Sequence, residues 1–109
     1  MPPRELSLLG ELAQQCHADS KRWFPETADN LFFMTAANAG EAGEAINALK
    51  KAERLGRKMT AVEKHDYVME LTDNLTYLLA CFAMVGVDPE RAYVQKRAEN
   101  EKRFGGNNV

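Results

Sequence analysis

Residues 60–86 read TAVEKHDYVMELTDNLTYLLACFAMVG. Thr60 and Glu63 form a capping-box pattern, in which the two side chains satisfy each other's exposed amides, so a helix is expected to start at about Ala61. Asp66, Glu70, Asp73 and Tyr77 follow at steps of four, three and four, which keeps them on one helical stripe. Val68, Leu71, Leu75, Leu78, Leu79 and Phe82 occupy the other side and are expected in the core. Beyond Leu75 the helix is apolar nearly all round until Gly86 stops it, more than a small lone bundle covers, so this half is expected to face a second subunit as well. The uncharged run from Leu75 to Val87 is expected to be a buried helix rather than a membrane span, since thirteen residues fall short of the roughly twenty that a bilayer needs.

Towards the N-terminus, a second helix is expected from Asp29 or Asn30, either of which can cap it, to about Leu55, with Gly56 as the stop. It carries Glu41-Ala42-Gly43-Glu44, the counterpart of Glu70-Leu71-Thr72-Asp73. Residues three apart differ by roughly 60° around a helix, so each motif aims two carboxylates the same way. If the two helices pack antiparallel, four carboxylates converge. Gly40 and Gly43 each cost the helix about 1 kcal/mol relative to alanine, which calls for a reason. Close approach of a neighbouring helix and room for a ligand are both compatible with them. Lys50, Lys51 and Arg54 on the last turns complement the helix dipole.

The remaining elements are plainer. A first helix is expected from about Arg4 to Arg22, with Leu6, Leu9, Leu12 and Ala13 inward. The break at Trp23-Phe24-Pro25 leaves Trp23 and Phe24 in a loop, as hydrophobic plugs or as surfaces on which a base could stack. Asp88-Pro89 starts a fourth helix that runs to about Arg103, with Lys96, Asn100 and Arg103 on one polar stripe. Residues 1–104 form one domain, and the tail from Gly105 to Val109 is expected to be disordered. The formal charge of −2 becomes +2 once the four motif acids are set aside, so the acidity is local and suggests neither a nucleic-acid polymer nor a membrane as partner. Cys16 and Cys81 show no metal-ligand spacing and read as reduced thiols of a cytoplasmic protein, and no signal peptide is evident at Met1–Gly10.

Clustered carboxylates are costly unless protons or cations neutralise them, and an all-oxygen set suits magnesium, manganese or calcium. A di-iron bundle is excluded because neither histidine stands three residues after a glutamate. A two-carboxylate glycosidase leaves the paired arrangement unexplained. A cation site for a polyphosphate and plain surface charge remain.

The wider pattern, Glu41-x-x-Glu44 followed by Glu70-x-x-Asp73-x-x-x-Tyr77 and closed by Lys96-x-x-x-Asn100-x-x-Arg103-Phe104, resembles the MazG-type all-α nucleotide pyrophosphohydrolases. Relatives of that group include dimeric dUTPases and phosphoribosyl-ATP pyrophosphatases. The resemblance spans residues 30 to 104 and implies an all-α, four-helix MazG-like bundle that assembles as a homodimer or homotetramer. It implies an enzyme that cleaves a nucleoside triphosphate to monophosphate and pyrophosphate with magnesium, manganese being the alternative. Glu41, Glu44, Glu70 and Asp73 would be its metal ligands and catalytic groups. Tyr77, Lys51, Lys96, Asn100 and Arg103 would meet the nucleotide, some from a neighbouring subunit, and His17, Trp23 and Phe24 would meet the base. Gly40 and Met69 stand where an additional acid is often found in that family, and Asp66 is the candidate substitute. The rival expectation is a non-catalytic helical oligomer that binds a nucleotide or a protein, with the acids as a regulatory cation site.

Overall fold

In the computed structural model, which describes residues 5–105, every regular element is helical: α1 (Leu8–Trp23), α2 (Leu31–Leu55), α3 (Ala61–Met84), α4 (Pro89–Asn100) and a closing π turn, Glu101–Gly105. The caps of α2 and α3 are those the sequence suggests. Asn30 accepts from the Phe33 amide and Gly56 closes α2 at φ 63°, a left-handed conformation that glycine adopts without strain. Thr60 and Glu63 form the reciprocal capping box that opens α3.

Arg57 grips the same glutamate through two nitrogens, at 2.8 and 3.3 Å. The arginine first, and the Thr60 amide second, hold the Glu63 carboxyl down at about 2. A folded-state value below the ordinary 4.5 stabilises the fold above that pH, and the gain is lost as pH falls towards 2. Thermal melts across this window should show the loss, and Arg57→Ala should flatten part of it.

The α2–α3 pair is antiparallel, as the contacts Thr35–Cys81, Asn38–Asn74 and Glu41–Glu70 show by running in opposite directions along the two helices. Asn74 Nδ2 donates to both the carbonyl and the side-chain oxygen of Asn38, at 2.8 and 2.7 Å, and fixes their register. α1 lies along the C-terminal half of α3, resting on its small residues Gly10, Ala13 and Ser20. The loop between α1 and α2 turns tightly, with the Thr27 and Ala28 amides both donating to the Phe24 carbonyl and Ala28 fully buried. α4 leaves at a bend of 97° from α3 and packs against the start of α1.

That joint is a shared cap. Ser7 accepts from the Gly10 amide at the head of α1, while its own amide and hydroxyl donate to Asp88 at 3.0 and 2.8 Å. Asp88 in turn accepts from the Glu90 and Arg91 amides at the head of α4. These donors, the Ser7 amide first, hold the Asp88 carboxyl below its ordinary range.

Several expectations need correction. Helix one starts at Leu8, capped by Ser7, and Arg4 lies outside the described residues. Trp23 is the last residue of α1 rather than loop, because the Phe24 amide still reaches the Ser20 carbonyl and closes the turn. Gly105 belongs to the π turn, and residues 106–109 lie outside the described range. Leu6 and Leu12 stay partly open because α1 approaches through glycine and alanine, not through its leucines. On α3, only Leu79 of the six expected core residues is fully buried; Val68, Leu71, Leu75 and Leu78 are 40–43% exposed, and Phe82 is half-buried. Gly40 and Gly43 have no neighbour within 4 Å of where a Cβ would stand, so no helix of this chain presses on them. Among the described residues no single helix is long and apolar enough to cross a membrane.

Candidate metal centre and adjoining cleft

The Asn38–Asn74 register sets Glu41 of α2 opposite Glu70 and Asp73 of α3. One ligand oxygen from each of these three carboxylates lies within 4.8 Å of the others. Burial pushes the Glu41 carboxyl above its ordinary range, helped by the hydrogen bond it shares with Glu70 and by repulsion from Asp73, Glu70 and Glu44. Among the described residues, none of these acids has a lysine, arginine or histidine within ion-pair distance. Three converging carboxylates with an all-oxygen donor set and no cationic partner fit a hard divalent cation. Glu44, exposed on the next turn of α2, stands outside the trio, and so does Asp66.

Beside the trio opens a cleft of about 450 Å³ lined by Ser20, Trp23, Phe24, Thr27, Phe33, Met34, Glu41, Asp73, Thr76 and Tyr77. Its size lies within the range of small-molecule sites. Tyr77 sits where the helical spacing puts it, one turn beyond Asp73. Trp23 and Phe24 are 60% and 58% exposed, so they border the cleft rather than plug the core. The Arg22 guanidinium stacks 5.4 Å from the Trp23 ring centre. Phe33, Met34, Ser20, Thr27 and Thr76 are lining residues that the spacing argument did not find. The signal for Phe33 and Met34 was available in their position one turn after the Asn30 cap; that of the hydroxyls was not.

Other candidates lie apart. His17 does not line the cleft; its Nε2 meets Asp29 Oδ1 at 2.9 Å, with Lys21 3.8 Å from the same carboxylate, and it ties α1 to the loop that walls the cleft. Lys51 is exposed ten residues beyond Glu41, roughly 15 Å along α2. Lys96 and Asn100 line a separate cleft on α4 with Tyr93 and Phe104, and the Arg103 guanidinium covers the Phe104 ring at 4.9 Å. The residues lining the cleft beside the acids include no lysine or arginine.

Comparison with protein-family models, curated proteins and solved structures yields no match for this chain. Its chemistry is therefore read from the arrangement itself: a carboxylate trio able to hold a cation, at the mouth of a cleft with aromatic walls and hydroxyl groups.

Proposed function

We propose that the chain is a MazG-type, divalent-cation-dependent nucleoside triphosphate pyrophosphohydrolase, taking a (d)NTP to (d)NMP and pyrophosphate. The observation that carries this reading is the convergence of Glu41, Glu70 and Asp73 at the edge of an aromatic-lined cleft of about 450 Å³. A planar base fits between Trp23, Phe24, Phe33 and Tyr77, while Ser20, Thr27 and Thr76 offer hydroxyls to its edge or to the sugar. The polyphosphate then points at the carboxylates, a repulsive encounter that needs positive charge between them, and the cleft lining supplies none.

Glu41, Glu70 and Asp73 would hold magnesium or manganese. The bound ion would offset the phosphate charge and lower the pKa of water. Glu44, outside the trio and open to solvent, is the carboxylate left to take the proton from the attacking water. Water adds to the α-phosphorus, the bond from that phosphorus to the bridging oxygen breaks, and pyrophosphate leaves with the bonding electrons.

Chromatography of products from a panel of ribo- and deoxynucleoside triphosphates, with magnesium and with chelator, tests this directly. Monophosphate and pyrophosphate formed only with the cation are expected. Thermal stabilisation by a nucleotide with no product from any substrate would instead support a non-catalytic nucleotide-binding oligomer. Trp23→Ala should raise KM about tenfold with kcat little changed, because a stacking surface remote from the phosphates adds binding more than transition-state stabilisation. Steady-state kinetics separates the two constants.

A further inference from the structure

Two hydroxyls in the lining of the cleft have their protons committed elsewhere. Ser20 Oγ donates to the Cys16 carbonyl at 2.8 Å, and Thr76 Oγ1 donates to the Thr72 carbonyl at 2.9 Å, each one turn back along its own helix. A hydroxyl carries one proton and two lone pairs, so each of these presents lone pairs alone to the cleft. Turning either proton inward would break the bond that holds it. Among the described residues, the Thr27 and Tyr77 hydroxyls make no such bond, so they serve a donor or an acceptor equally.

The other side chains of the lining bring no fixed donor to the edge of a base. Glu41 and Asp73 accept, and the Trp23 indole N–H lies in the plane of a ring on which the base would stack, so it points alongside the base. Burial sets the direction of entry. Met34 and Ser20, 2% and 7% exposed, are the most buried residues of the lining, Thr76 is half-buried, and Asp73 is open to solvent. The base, the least charged part of a nucleotide, goes inward to the two hydroxyls, and the phosphates stay outside with the acids.

We infer that the cleft selects bases that carry an amino group, as cytosine and adenine do, over their carbonyl counterparts uracil and hypoxanthine, and that Ser20 and Thr76 make the choice. The inference rests on the nucleotide reading of this cleft and adds the class of base. An amino group presents two hydrogens to such acceptors. A carbonyl oxygen sets lone pairs against lone pairs, and at buried Ser20 that mismatch goes uncompensated. Stacking alone makes no such distinction, because every base has a face.

Calorimetric titration with CMP and with UMP, magnesium present, reads the choice without any reaction, and kcat/KM for CTP and UTP reads it in turnover. Each should favour the cytosine member about tenfold or more, and ATP should lead ITP likewise. Ser20→Ala/Thr76→Val removes both acceptors with little change of shape and should bring the CMP-to-UMP affinity ratio close to one. Should that variant fail to fold, Thr76→Val alone should lower the ratio about threefold. Tighter binding of CMP with no product from any triphosphate supports the inference and removes the pyrophosphohydrolase reading instead. Equal binding of the two monophosphates, or tighter binding of UMP, overturns the inference even where triphosphates turn over, as does a folded double variant that keeps the wild-type ratio.

Discussion

Glu41→Gln is expected to lower nucleotide turnover about a thousandfold or more while leaving helix content unchanged. The substitution preserves shape at a partly buried position of α2, so only charge and proton binding change. Two stability readouts should move in opposite directions. Without cation, removing Glu41 relieves repulsion from Asp73, Glu70 and Glu44, and the melting temperature should hold or rise. With magnesium, the shift that the wild type shows should vanish, because the trio has lost a ligand. The pH dependence follows from the same crowding. Glu41 binds its proton more tightly than an ordinary glutamate, and a cation must displace that proton, so cation affinity should climb as pH rises through the range where Glu41 ionises. If the acids are only surface charge, Glu41→Gln will match the wild type in turnover and in response to magnesium.

Gly10→Ala should cost the fold stability through a single methyl group. A Cβ there would stand 2.7 Å from Asp88 Oδ2, 3.1 Å from its Cγ and 3.3 Å from Leu6 Cβ. The carboxylate has nowhere to go, since Ser7 and the Glu90 and Arg91 amides already hold it. Overpacking of this kind costs up to about 3 kcal/mol. Alanine recovers about 1 kcal/mol through helix propensity, which leaves a net loss of about 2 kcal/mol. For a domain of about 100 residues, that lowers the melting temperature by about 8–16 °C. Scanning calorimetry checks it, and pairing Gly10→Ala with Asp88→Ser, which shortens the side chain it strikes, should recover part of the loss. Full additivity of the two changes would show that the clash is not the cause.

The parts of the fold that local chemistry dictates were legible in the sequence. Asn30, Gly56, Thr60 with Glu63, and Asp88 with Pro89 act within one turn, and each marks a boundary where the structure has it. The facing of Glu41 on Glu70 and Asp73 was also legible, because a five-residue link between long helices favours antiparallel neighbours. What depends on tertiary arrangement was not. Leu71, Leu75 and Leu78 of α3 look like core by periodicity, yet α1 approaches from another side through Gly10 and Ala13 and leaves them open. The Ser7–Asp88 contact joins residues 81 positions apart, and nothing local to either announces it. The same holds for the cleft, whose hydroxyls come from α1, the following loop and α3.

The Ser7–Asp88 joint also bears on the order in which the chain assembles. The α2–α3 hairpin closes through a short link and should form early, whereas the joint must close a loop of 81 residues and is entropically expensive until the hairpin exists. It should therefore set late and open early, parting the head of α4 from the start of α1 while α1 still lies on α3. Glu41, Glu70 and Asp73 all sit on the hairpin, and Trp23 and Phe24 stand at the end of α1 opposite Ser7, so opening the joint should leave both the carboxylates and the aromatic wall of the cleft in place.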